Sequence, residues 1–187
     1  PRRFGGWEGQ TAGTRLVVML VYPGVMTMDV VGPLEAFAAA NAESHRPLYR
    51  LAIASMDGKP VATSLGIRLF PSVAASRIAG PIDTLLVSGG HGQVEARTNP
   101  VLLKWLRTQG RKARRCGSIC TGAFVLAEAG LLSGRAATTH WAYRDALAER
   151  FPGIALDADK LVIDDGDILT PRGYMAWTGL GLKLVGR

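Results

Sequence analysis

Cysteine is nearly absent from this sequence: Cys116 and Cys120 are the only two among 187 residues, and both fall in one short segment. In an extended strand that spacing carries the two Cα atoms past the roughly 7 Å limit for a bridge, so no disulfide framework holds the fold. Two unbridged thiols agree with a reducing cytoplasm. Histidine is equally sparse, since His45, His91 and His140 stand apart. With no Cys-x-x-Cys or His-x-x-x-His pair, a metal centre is disfavoured, and no cofactor is expected. No apolar run approaches the ~18 residues that cross a bilayer. Pro1–Arg15 is polar, Gly-rich and lacks the hydrophobic core of a signal peptide. The expectation is a cytoplasmic protein with no membrane attachment.

Charge is lopsided, with 22 Lys and Arg against 15 Asp and Glu and a net charge of +7. Such an excess raises nucleic-acid binding as a possibility, so the placement of the basic residues decides. Arg107, Arg111, Lys112, Arg114 and Arg115 gather where a helix should end, which reads as a solvated helix terminus favoured by its dipole. No aromatic residues interleave with them to stack on bases, and no helix-turn-helix or zinc pattern is visible. Direct DNA binding by these residues is not expected.

Apolar residues make up 48% and charged residues 20% of the chain, which excludes a disordered polymer. The length fits one domain, taken as residues 15–187, preceded by an extended or disordered tail over 1–14. Leu16–Tyr22 is an unbroken apolar run closed by Pro23-Gly24, the pattern of a strand buried on both faces. Asp29 follows, and then Leu34, Phe37 and Ala38 at helical spacing, with Pro33 expected in the first turn. Tyr49–Ser55 reads as a second strand, Val61-Ala62 with Ile67–Leu69 as a short hairpin, and Asp83–Ser88 as a third buried strand ending in Gly89-Gly90-His91-Gly92. Asn99-Pro100 opens a helix to about Gly110. Arg115–Ile119 is a strand, and Ala136–Thr139 a short one, before a helix over 142–150. Asp165-Gly166 joins two further strands as a hairpin. Apolar residues at helical spacing over Gly173–Val185 indicate a closing helix. Strands alternating with helices give an α/β fold: a three-layer, flavodoxin-like sandwich around a mostly parallel sheet.

Gly117-Ser118-Ile119-Cys120-Thr121-Gly122 joins a strand to the apolar helix Ala123–Ala129. This is the shape of a nucleophile elbow, in which a sharp turn presents one strained side chain beside a small neighbour. At the start of that helix the free N–H groups and the dipole favour the Cys120 thiolate. The alternative is a small buried hydrophobe. Ligands of parallel sheets bind beyond the carboxyl ends of the strands. Asp29, Gly89-Gly90-His91 and Cys120 each follow such an end.

Val18–Tyr22, Met28-Asp29-Val30-Val31-Gly32-Pro33-Leu34-Glu35-Ala36-Phe37, Ser88-Gly89-Gly90, Gly117–Leu132 and Gly134–Trp141 together resemble the PfpI/ThiJ superfamily, the class I glutamine amidotransferase-like fold. Within it the chain is most similar to the amino-terminal domain of AraC-type transcription regulators, and isonitrile hydratases carry a similar set. The regulator resemblance implies a domain that senses a small molecule and forms a homodimer. DNA contact would then come only through a helix-turn-helix module not present in this sequence. The hydratase resemblance implies a cysteine-dependent hydratase or hydrolase as the alternative. It also assigns Cys120 as nucleophile and Asp29 as its carboxylate partner; a cap on the first helix is the other reading of Asp29, and the two are compatible. The N–H groups of Gly90 and Thr121 are the natural oxyanion donors, with Gly89 permitting the approach. His140 falls where some members place a general base, but it suits a pocket wall or dimer contact equally. His91 faces either the same pocket or solvent, and the Thr121 hydroxyl serves either the site or the helix start.

Overall fold

A computed structural model describes residues 13–44, 47–157, 159–173 and 175–176. The expected tail lies outside the described residues up to position 12, as does the closing helix past Ala176.

In chain order the elements are β1 (Arg15–Leu20), α1 (Thr27–Glu43), β2 (Tyr49–Ser55), β3 (Val61–Ala62), β4 (Arg68–Leu69), β5 (Val73–Ala74), β6 (Thr84–Val87) and α2 (Gln93–Ala96). They continue as α3 (Pro100–Gly110), β7 (Arg115–Ser118), α4 (Gly122–Glu128), β8 (Ala136–Ala137), α5 (Arg144–Arg150), β9 (Ala155–Leu156), β10 (Val162–Asp165) and β11 (Ile168–Pro171). Seven strands form the main sheet in the order β10-β11-β7-β6-β1-β2-β5. All neighbours run parallel except the β10–β11 hairpin. Every residue from Leu16 to Leu20 is buried. That continuous apolar run is what a central strand covered on both faces requires. α1 packs against β2, and α4 against β6, β7 and α3.

Several features depart from the sequence reading. α1 begins at Thr27, so Pro33 lies inside the helix and Asp29 is not its cap; the N-cap position is Met26, with no side-chain bond. Pro33 has no N–H to offer the carbonyl four residues back, which is that of Asp29. β5, an edge strand of two residues, and the single turn α2 are too short to show a period and escape sequence reading. β8 pairs with β9 in a separate small sheet rather than joining the main one.

The basic cluster is only partly a solvated helix end. Arg114 forks onto both Asp83 oxygens at 2.7 and 2.9 Å, Arg107 donates to the Ala129 carbonyl, and Arg115 is buried in β7. Among the described residues no helix is long and apolar enough to cross a membrane.

Candidate functional site

β7 and α4 meet at Cys120. Its backbone is fixed from several sides: Ile119 N–H donates to Val87, Cys120 N–H to Pro171, and the Thr139 hydroxyl to the Cys120 carbonyl at 3.0 Å. These bonds hold Cys120 at φ 53°, and it is the one non-glycine residue with positive φ among those described. A left-handed conformation costs an L-residue about 1–2 kcal/mol. The turn is that of a strained elbow. Gly122 completes it, because a Cβ there would lie 2.5 Å from the Val87 carbonyl oxygen and 2.8 Å from that of Ser88. α4 can approach the end of β6 only with a glycine at this position.

Asp29 comes to the same place from the first turn of α1 and is 0% exposed. A Cβ built on Gly89 would sit 2.5 Å from Asp29 Oδ2 and 2.9 Å from Cys120 Cβ. The bare Cα of Gly89 is therefore what lets carboxylate and thiol share one chamber. Tyr22, the last residue of the apolar run continuing β1, adds a third titratable group. Its hydroxyl donates to the Ser88 carbonyl at 2.5 Å. Burial, then the Asp29 charge, then Cys120 push the phenol far above its ordinary range.

The electrostatics reverse the expectation of a thiolate. Cys120 is 5% exposed, and burial, followed by the adjacent Asp29 charge, pushes its pKa up to about 12. The Thr121 N–H and hydroxyl act in the opposite direction by bonding to the sulfur. They are outweighed because removing a small anion from water costs more than two hydrogen bonds return. Burial and the neighbouring Asp29 together disfavour the Cys120 thiolate relative to a free cysteine.

The Gly90 N–H is not free to serve as an oxyanion donor in this conformation. It donates to Thr121 Oγ1 at 2.9 Å, and the Thr121 hydroxyl lies 3.2 Å from the Gly90 carbonyl. The Thr121 N–H remains directed at the sulfur. His140 Nδ1 accepts from the Ala142 N–H at 3.3 Å and caps the turn Trp141–Tyr143. The ring packs against Trp141 and Tyr143, and it is absent from the groups that act on the Cys120 thiol. In this arrangement the His140 ring is engaged by its own turn and by its aromatic neighbours. His91 is exposed on its loop. The structure thus brings together Asp29, Gly89, Cys120 and Thr121, sets Gly90 one bond behind them, and leaves His91 and His140 outside.

Tyr22 and Thr139 escaped sequence reading. A polar tip at the carboxyl end of an otherwise apolar strand was the available signal for the first. Thr139 had none, because its role depends on a contact 19 residues away. Beyond the Tyr22 ring lies a cleft of about 440 Å³, lined by Ser55, Asp57, Glu95 and Asn99 among others; Cys120 and Asp29 are not among its walls. Among the described residues no three His, Cys, Asp or Glu side chains gather as a metal site, and both cysteines are free thiols.

The model of the DJ-1/PfpI family matches residues 15–187. An uncharacterized protein of the cpoL 5' region of Streptomyces lividans is 45% identical over 76% of this chain and 99% of its own length. The HTH-type transcriptional regulator CdhR of Pseudomonas aeruginosa is 38% identical over 89% of this chain but only 48% of its own length. The isonitrile hydratase of Pseudomonas putida is 33% identical over 88% of this chain and 68% of its own. The chain thus spans about half the length of the regulator. Among solved structures, a ThiJ/PfpI family protein from Pseudomonas syringae superposes with a TM-score of 0.80 at 30% identity, covering 93% of this chain and 69% of that one.

Proposed function

This chain belongs to the DJ-1/PfpI family, and on that premise we propose that it is the small-molecule-sensing domain of a cytoplasmic transcription regulator of the AraC type, with DNA contact made by a separate helix-turn-helix module. The observation that carries this reading is the enclosure of Cys120, which is 5% exposed beside a fully buried Asp29. A thiol so enclosed, with its pKa raised by burial and by Asp29, suits a recognition group better than a nucleophile kept ready. The regulator relatives add support, since their matching region is about half of each. A second copy of the chain is the partner this reading requires. Exposed Met28, Leu65, Ile67 and Phe70 are the apolar side chains such a homodimer would cover, and sedimentation of Phe70→Glu against the parent tests that point.

A second reading is favoured by one contact. Asp29 and Cys120 both crowd the bare Cα of Gly89, an arrangement that would serve an isonitrile hydratase. The sulfur would bond to the terminal carbon of the isonitrile while the S–H proton, passed through Asp29, arrives at that same carbon, giving a thioimidate. Water then adds at this carbon, the C–S bond breaks, the thiol recovers its proton, and an N-substituted formamide leaves. The net change is addition of one water.

One experiment separates the two. The purified chain, Cys120→Ser and Asp29→Asn are each incubated with cyclohexyl isonitrile, and formamide is followed by chromatography. The sensor reading expects no turnover above the Cys120→Ser background; multiple turnovers that need Cys120 would replace it with the enzyme.

A further inference from the structure

The loop that carries Asp29 into the site is stitched to two neighbours at once. On one side Gly24 N–H donates to Ala62 at 2.8 Å and Ser64 N–H to Val25 at 2.9 Å, so Val25 pairs with Thr63 as a parallel bridge. On the other side Met26 N–H donates to Gly89 at 2.9 Å and Gly92 N–H to Gly24 at 3.3 Å, so Val25 pairs with Gly90 as an antiparallel bridge. Residues 24–26 form the middle rung between the β3–β4 hairpin and the Gly89–Gly92 loop. No side chain fits in the second contact: a Cβ on Gly90, which sits at φ 128°, would lie 2.6 Å from the Met26 nitrogen and 2.7 Å from Val25 Cα.

Both ends of this clasp have a use. At the inner end Gly90 is gripped through its N–H and its carbonyl by the Thr121 hydroxyl, and Thr121 adjoins Cys120. At the outer end Thr63 N–H holds the Ile67 carbonyl at 2.8 Å and Gly66 N–H the Thr63 carbonyl at 3.0 Å. These bonds set the hairpin tip, whose Leu65 is 74% exposed. Phe70, just past β4, is 73% exposed.

From this continuous backbone path we infer that the β3–β4 hairpin is the output element of the Cys120 site, with Thr121, Gly90 and Val25 as the link. The switching part is the Thr121 hydroxyl. Its single proton has two acceptors, the Gly90 carbonyl at the long distance of 3.2 Å and the Cys120 sulfur. A negative charge at that sulfur, or the amide oxygen of an adduct on it, draws the proton away, and of its three bonds Gly90 keeps the one from its own N–H to Thr121 Oγ1 and the one from Gln93 N–H to its carbonyl. The Val25 rung relaxes with it, and the hairpin tip is freed. A physical warrant for such coupling needs an element with two discrete arrangements, and the rotor of Thr121 is that element. The inference rests on the sensor reading and gives it a direction of travel, from thiol to exposed apolar surface.

Hydrogen exchange read by mass spectrometry tests it, with carboxamidomethylation of Cys120 by iodoacetamide as the probe. The thiolate displaces iodide, and a mass increase of one adduct confined to the Cys120 peptide is the entry condition. The expected result is that amides of 61–70 and of Gly24 exchange about tenfold faster after alkylation, within the usual range for coupled sites. Thr121→Val should accept the adduct without transmitting it, whereas Thr121→Ser, which keeps the hydroxyl, should transmit. Should Thr121→Val not fold, Ser64→Pro cuts the path at an exposed position by deleting the Ser64 donor, and residues 65–70 should then cease to respond. An unchanged hairpin after alkylation of the parent, or an equal response in the variant lacking the hydroxyl or the Ser64 donor, overturns the link. Neither outcome bears on whether a natural ligand exists, which the formamide assay and ligand binding decide separately.

Discussion

The Thr139 hydroxyl donates to the Cys120 carbonyl across 3.0 Å of buried space. That bond helps to hold a residue at φ 53°. The other donor near this carbonyl is the Ala123 N–H, 3.5 Å away, which is too long to replace it. Thr139→Val keeps the shape and leaves a buried acceptor short of a partner, at a cost of about 1–2 kcal/mol. Urea unfolding should show that loss for Thr139→Val and near-parent stability for Thr139→Ser, which retains the hydroxyl. Equal stability of the two variants would mean that the tether contributes nothing.

Asp29→Asn should make Cys120 more reactive. The variant removes the charge that is the second cause of the raised thiol pKa and leaves burial, the first, in place. The pH profile of alkylation by iodoacetamide should therefore move to lower pH while staying above the ordinary range for a cysteine. A profile that moves upward would mean that the aspartate is neutral in the parent and supports the thiolate.

Gly89→Ala tests the chamber directly. The added methyl meets Asp29 Oδ2, the Ile119 carbonyl and Cys120 Cβ, all within 3 Å, and two of these contacts belong to backbone or to the base of a side chain that cannot swing away. Carboxylate and thiol must separate. Alkylation of Cys120 should lose its dependence on Asp29, so that Gly89→Ala and Gly89→Ala with Asp29→Asn give the same profile. Gly153→Ala, where nothing lies within 4 Å, is the matched control and should leave the profile at the parent position.

Much of this arrangement was legible in the sequence where one segment encodes its own fate. The run Leu16–Tyr22 could only be a central strand, and Gly117–Gly122 before an apolar helix could only be a tight strand-to-helix turn, so the sheet and the elbow followed. The convergence of Asp29, Gly89 and Cys120 was legible because all three sit just past strand ends on one edge of the sheet. What the sequence hid was set by contacts between segments. The protonation of Cys120 depends on how completely the α1 and Gly89 loops close over it, and local spacing carries no measure of that closure. His140 was open to a base or a wall role, and spacing gave no sign that its ring nitrogen would accept from the Ala142 N–H of its own turn. Pro33 suggested a helix start because proline favours first turns, yet α1 begins at Thr27 and carries Pro33 in its interior.

Stability should fall on the alkaline side. Burial first and the Asp167 charge second push the Cys116 thiol up to about 12, as burial and Asp29 do for Cys120, each from 9.0. Both groups keep their protons in the folded chain at pH values where the unfolded chain has lost them, so the folded state binds more protons and loses stability as pH rises. Their contribution is complete below about pH 9 and disappears as pH climbs through about 12. Urea midpoints measured from pH 8 to 11 should decline in the parent, and the decline should flatten in a Cys116→Ala, Cys120→Ala double variant. A parallel decline in both proteins would assign the effect to Tyr22, whose phenol is raised in the same sense, or to surface charge.

The strain at Cys120 can be measured by removing the thiol in two ways. Cys120→Ala and Cys120→Gly both delete the sulfur and its contact with Asp29, but only glycine adopts φ 53° without steric cost. If the elbow is held in place by Val87, Pro171 and Thr139, alanine inherits the strained backbone and glycine releases it. Cys120→Gly should then be more stable than Cys120→Ala by about 1 kcal/mol, the reverse of the order for an ordinary buried position, where the missing methyl and the freer unfolded chain penalise glycine. The comparison also bears on why a cysteine occupies the turn. A glycine that outperforms alanine shows that the fold tolerates the thiol at a cost, so that selection for the thiol itself maintains it. Should alanine prove the more stable of the two, the turn is relaxed in solution and its conformation gives no sign of a role for the sulfur.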